Sequence, residues 1–489
     1  MATRSRTRKS SISQASTPLS ANSASSSKAP STSSSSTSLS SMAPVNEKSR
    51  KPLLDTYGNE FEIPDFTIKQ IRDAIPAHCY KSSTLRSLSY VARDLALVST
   101  NFYAFKFHII PALAEYHPAA RFATWGVYAF LQGLFGTGVW VLAHECGHGA
   151  FSSSKTVNDL VGWVLHSSLL VPFWSWKISH GKHHKATGHL ERDMVFVPKS
   201  REEYSRRYAG GIGHDISELT EETPIATLLH LIGQQLLGWP MYLVNNVTGH
   251  PYHERQSEGR GVGKRNGWFG GVNHFDPRSP LYESRDAKWI LLSDIGIAVT
   301  MYFLYQAVQI WGLANIAIWY FAPYLWVNHW LVAITFLQHT DPSLPHYHPE
   351  SWTYTRGAAA TIDREFGFIG RHLLHGIIET HVAHHFVSSI PFYKADEATE
   401  AIKKVMGKHY RSDTKGGSAG FLHALWRSAR MCQFVEPSEG AEGEGKGIVF
   451  FRNRNGLGVP PVNPEKIDPR VPFEKKGPIV QVAEVSDSE

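Results

Sequence analysis

Histidine, more than any other residue, marks where chemistry could sit in this sequence of 489 residues. Three short segments concentrate it: HECGH at 144–148, HGKHH at 180–184 and HVAHH at 381–385. On a helix, residues four apart, or three and four apart, share one face, so each segment can present its imidazoles together. With 26 histidines in the chain, chance supplies only about 0.07 windows of the pattern HxxHH. Two occur, so the spacing is not accidental. Neighbouring imidazoles that all became charged would repel one another, whereas neutral ones sharing a cation do not, and a metal is implied. Imidazole suits zinc, copper, iron and nickel, so ligand type does not choose among them. Ligand number says more. His144, His148, His180, His183, His184, His381, His384 and His385 are more donors than one tetrahedral zinc can use, which implies two metals.

The first segment also fits HExxH, the pattern of zinc peptidases, in which Glu145 would act as base on a metal-bound water. That reading leaves HGKHH and HVAHH without a role. A non-enzymatic metal carrier would place its ligands in a pore or flexible loop rather than in three helical clusters. Isolated histidines such as His108, His230 and His409 read as ordinary core or surface residues. Cys79, Cys146 and Cys432 are odd in number and far apart, so neither a disulfide framework nor a CxxC site is indicated, and the working parts face a reducing cytosol. A net charge of +6 with no basic run interleaved with aromatics excludes a nucleic-acid binder. An anionic membrane face is the partner that suits it.

Four apolar blocks must position these clusters: residues 95–113, interrupted by Lys106 and His108, then 122–143, 290–311 and 316–337. Each approaches the ~20 residues that a membrane-spanning helix needs. The joins within each pair are short and poor in Lys and Arg, which suits the lumenal side, while Arg86, Arg93, Arg285 and Lys288 flank the cytosolic side. Two helical hairpins follow. Two further runs, 160–176 and 225–247, are broken by Pro172 and Pro240. Were either to span the membrane alone, histidine clusters would fall on opposite faces, so both are read as interfacial or partly inserted helices. The expected fold is therefore all-α and integral to the membrane. Residues 1–50 form a disordered Ser-rich tail, 51–430 the membrane domain, and 431–489 a polar, loosely ordered tail. The slightly negative mean hydropathy of −0.24 reflects these tails diluting the apolar blocks.

Longer stretches carry a resemblance: IRDAIPAHCYKSS, GTGVWVLAHECGHGAFS, LLVPFWSWKISHGKHHKATGHLERDMVFVPK, FLQHTDPSLPHY and ETHVAHHFVSSIPFYKADEATEAI. Together they span roughly residues 60–412 and resemble the membrane fatty acid desaturases, in particular the methyl-end acyl-lipid branch of oleate Δ12 (ω6) desaturases and their ω3 relatives, on its fungal side. The resemblance implies four transmembrane helices beneath a helical cytosolic cap that holds two irons. It implies removal of two hydrogens from an oleoyl group of a membrane phospholipid, with O2 as oxidant, at the endoplasmic reticulum membrane. It adds His339, in FLQHT, as a ninth metal ligand, and makes Glu145, Asp193 and Glu379 acceptors that orient the ligands. No HPGG haem motif occurs, so a separate cytochrome b5 with its reductase is the implied electron donor. The same scaffold supports bifunctional Δ12/ω3 desaturases, oleate hydroxylases and acetylenases. One departure stands out: Asp341 occupies the place of a second histidine common in the family's QHTHPSLPHY segment.

Overall fold

A computed structural model describes residues 51–113, 115–208, 223–249 and 271–462. The Ser-rich stretch 1–50 and the end of the chain from 463 lie outside the described residues. Helix α1 (Thr84–Ala104) starts at Ser83, whose hydroxyl accepts from Arg86 N, and continues through a wider turn over Phe105–Ile109. Proline at the first position opens α2 (Pro118–His148), where no intrahelical N–H is needed. It ends on Gly149 at φ 73, a left-handed residue that lets the last carbonyls find partners. After α2 come α3 (Lys155–Ser168), α4 (Phe173–Ala186) and α5 (Pro224–Asn245), the last carrying Pro240 inside it. The second long pair is α6 (Ala287–Trp311) and α7 (Ala322–His339). Helices α8 (His381–Phe386), α9 (Ala395–Met406) and α10 (Gly417–Met431) follow.

The bundle centres on α2, with α1 and α7 against it. The backbones of α2 and α7 come close because Gly133 faces Trp326: a Cβ on Gly133 would sit 2.2 Å from that of Trp326. On the other side, Asn101 donates to Gln132 Oε1 at 2.7 Å in a buried bond between α1 and α2. The four expected apolar blocks fall on α1, α2, α6 and α7, but only Pro118–His148 and Ser284–Trp311 are long and apolar enough to cross a membrane among the described residues. Arg86, Arg93 and Asp94 dilute the first half of α1, and Asn328, His329, Gln338 and His339 dilute α7. In the most apolar window of α6 only 17% is buried, with Leu291, Ile295, Val299, Phe303 and Ile310 exposed.

The loosely ordered tail expected from 431 onward does not hold for residues 434–452. There β4 (Phe434–Pro437) and β5 (Ile448–Arg452) join β1 (Pro345–Tyr347) in an antiparallel sheet of order β1-β5-β4. Phe434, Ile448 and Phe450 are fully buried. The IVFFR run of β5 is stabilised by pairing with a strand about a hundred residues earlier, Pro345 opposite Phe450 and Tyr347 opposite Ile448. Averaged with its Gly- and Glu-rich surroundings, that run looks polar. A second, parallel pair joins β2 (Asp363–Arg364) to β3 (Ser412–Asp413).

Candidate metal centre

The three histidine segments and the end of α7 converge. His144 and His148 occupy the last two turns of α2, one turn apart. His180, His183 and His184 come from the second half of α4, His339 closes α7, and His381, His384 and His385 lie on α8. They fall into two groups. His144, His148, His180, His184 and His384 form one; His183, His339 and His385 form the other, with donor atoms in each group within 4.8 Å of one another. His381 joins the second, its Nε2 standing 3.1 Å from His339 Nε2. Between ring nitrogens, His180 and His144 Nε2 are 3.2 Å apart, His184 and His180 Nε2 3.1 Å, and His183 and His339 Nε2 3.3 Å. Two ligands each ~2.1 Å from one ion and at right angles have donors about 3 Å apart, so the spacing is that of shared coordination.

The side chains fit metals by a second criterion. Nε2 of His148, His384 and His385 is buried with no hydrogen-bond partner among the described residues. Unsatisfied buried nitrogens are costly unless something else binds them. Burial pushes the imidazoles of His180, His184, His381, His384 and His385 well below their usual range, and neighbouring imidazoles push the same way. In these five the shift favours the neutral form, which is the form that binds a cation. The second group is buried throughout, whereas His148, His180 and His384 of the first are partly exposed.

Other residues fix which nitrogen points inward. His183 Nδ1 donates to Asp193 Oδ1 at 2.7 Å, and that carboxylate is itself held by Val195 N and Phe196 N. This leaves His183 Nε2 as the free donor atom. Thr187 donates to His183 O at 2.8 Å and so can accept from His385 Nδ1, 3.0 Å away. Trp176 stacks on His180 at 4.5 Å between centroids, and Trp140 on His144 at 5.7 Å. Glu145 stands 3.5 Å from His144 Nδ1 and accepts from Phe392 N at 3.0 Å. Glu379 is turned elsewhere: Oε1 accepts from Phe366 N at 3.0 Å, and Oε2 has no hydrogen-bond partner among the described residues. Of the three expected orienting acids, Asp193 bonds a cluster histidine, Glu145 adjoins one, and Glu379 props the loop before α8. Thr187 escaped notice in the sequence, although it lies four residues after His183 and so on the same helix face.

A cavity of about 1020 Å³ opens against this centre. His144, His180, His183, His339 and His381 form one part of its wall, and Trp140, Val141, Leu237, Trp239, Leu331 and Ile334 are among the apolar residues of the rest. A mostly apolar cavity walled on one side by imidazoles could receive a hydrocarbon chain beside the metals those imidazoles would hold.

Residues 123–416 match the family described as fatty acid desaturase. The chain belongs to that family. Its matched span contains all nine histidines of the centre. A second match, to a domain of unknown function, covers residues 2–101. Among relatives, an oleate hydroxylase of Claviceps purpurea is 60% identical over 87% of this desaturase-family chain and 89% of its own length. A Δ12 fatty acid desaturase of Mortierella alpina is 44% identical over 84% of this chain and 96% of its own. An oleoyl-12-hydroxylase of Ricinus communis is 41% identical over 80% and 92%. Both outcomes at carbon 12 thus occur among the relatives of this desaturase-family chain.

Proposed function

We propose that the protein is a Δ12 (ω6) fatty acid desaturase that converts oleoyl to linoleoyl groups in membrane phospholipids, using O2 and electrons from a separate cytochrome b5 and its reductase. The observation that carries this reading is the set of nine converging imidazoles on the wall of an apolar cavity large enough for an acyl chain. Of the nine, His144, His148, His180, His184 and His384 would hold one iron, and His183, His339, His381 and His385 would hold the other. Four helices, α1, α2, α6 and α7, span the endoplasmic reticulum membrane as two hairpins. The clusters and both chain ends face the cytosol.

When bound, the two irons supply the oxidising power from O2 that acid/base side chains lack. Everything else falls to the chain. Trp140, Leu237, Trp239 and Leu331 exclude water from the hydrocarbon and hold it beside the histidines. Asp193 and Thr187 keep His183 and His385 oriented with Nε2 inward. Desaturation consumes one O2, two electrons and two protons, removes one hydrogen from each of two adjacent carbons and releases two waters. Hydroxylation consumes the same reactants but keeps one oxygen on the carbon and releases one water.

Hydroxylation is the second reading, favoured by the 60% identity to an oleate hydroxylase. Expression in a host that makes oleate but no polyunsaturated acids separates them. Linoleate is expected among the lipid acyl groups, formed only with oxygen present. Ricinoleate alone would replace the first reading with the second, and unchanged oleate alongside a working cytochrome b5 would end both.

A further inference from the structure

Residues 362–364 run buried between the end of α7 and the start of α8 and are bonded to both. Toward α7, Ile362 N donates to Gln338 O at 3.2 Å, and Arg364 Nε donates to Leu337 O at 2.9 Å. Toward α8, Arg364 N donates to Ile378 O at 3.0 Å, and Asp363 Oδ1 accepts from Val382 N, the residue after His381, at 2.7 Å. Leu337 and Gln338 belong to the last turn of α7, whose carbonyls have no partner within the helix. A guanidinium there also meets the negative end of the helix dipole.

The remaining nitrogens of Arg364 complete a clamp. Nη2 donates to Asp341 Oδ2 at 2.9 Å and Nη1 to Asp413 Oδ2 at 3.0 Å. Arg364 and Asp341 are 1% and 2% exposed. One planar, rigid group therefore holds the chain two residues before His339, at the Leu337 carbonyl, and two residues after it, at the Asp341 carboxylate. The same segment holds the backbone beside His381, and the two imidazoles meet at 3.1 Å. Arg427 also pairs with Asp413 and lies 3.9 Å from Asp341, but no bond joins it to α7.

We propose that Arg364, paired with Asp341, is a positioning residue that sets the separation of His339 and His381, and through it the affinity of the second metal position independently of the first. This rests on the nine histidines holding two irons. The test is anaerobic Fe(II) titration of the full chain in detergent, with Mössbauer spectra resolving the two positions. Arg364→Lys keeps the charge and loses the fork, and should weaken the second iron roughly 10- to 100-fold while leaving the first unchanged. Asp341→Asn should act in the same direction with less disturbance to packing, and Asp341→Glu should restore the affinity. Arg427→Gln should bind both irons as the parent does. If Arg364→Lys fails to fold, Asp341→Asn against Asp341→Glu decides. Unchanged binding of both irons in Arg364→Lys and Asp341→Asn, or parallel loss of both, would overturn the proposal. A parent protein that binds no second iron would instead remove the reading on which it rests.

Discussion

A ligating imidazole needs its second ring nitrogen held, and His183 and His385 meet that need with different partners. His183 uses a carboxylate fixed by two backbone amides, and His385 a hydroxyl that is itself tied to a carbonyl. Asp193→Asn should therefore lower iron affinity or activity roughly 10- to 100-fold while the protein still folds; iron content and product at matched expression would read it, and parental values for both would contradict the role. His339 tests the ninth ligand. Its replacement by Ala should lower bound iron and abolish product, as His384→Ala should; full iron and near-normal product in His339→Ala alone would remove it from the ligand set. The convergence of the histidines in the three segments was legible because helical spacing puts each set on one face. His339 was legible only through resemblance, since a single histidine at the end of an apolar helix carries no pattern. Arg364 was not legible at all, because its partners at 337, 341 and 413 are joined to it only by the tertiary fold.

Among the elements, α2 is the one that everything else must fit. It carries His144 and His148 at one end and packs against α7, which carries His339, through Gly133 and Gly136. The Cβ of an alanine at 133 would overlap Trp326 Cβ, an atom fixed to the backbone, so the two helices must move apart. Gly133→Ala should destabilise the protein by about 1–3 kcal/mol, as overpacking usually does, and loosen His339 against His144. A lower unfolding midpoint in detergent, with reduced iron, is expected; an unchanged midpoint would mean that the helices do not approach as described. Helix positions were readable from apolar blocks and breakers, including Pro172 before α4. The strands were not. Each is short, and β5 is stabilised by β1, so its order depends on a contact between distant parts of the sequence.

At the scale of the whole molecule, parity decides whether one centre can exist. His148 ends α2 and His339 ends α7, and in the proposed two-hairpin arrangement both can serve one centre only if each hairpin returns the chain to the same side of the membrane. A glycosylation acceptor inserted after His184 should stay unmodified, while acceptors near Tyr116 and Leu313 should be used; modification after His184 would break the two-hairpin arrangement. The long exposed apolar surface of α6 fits burial in a membrane, since patches of that extent mark a surface that something apolar covers. The most direct test of the account is the metal content of the full chain purified without oxygen. Nine imidazoles in two groups predict about two irons per chain, with loss of iron in His384→Ala. One zinc per chain, no iron and peptidase activity would contradict it.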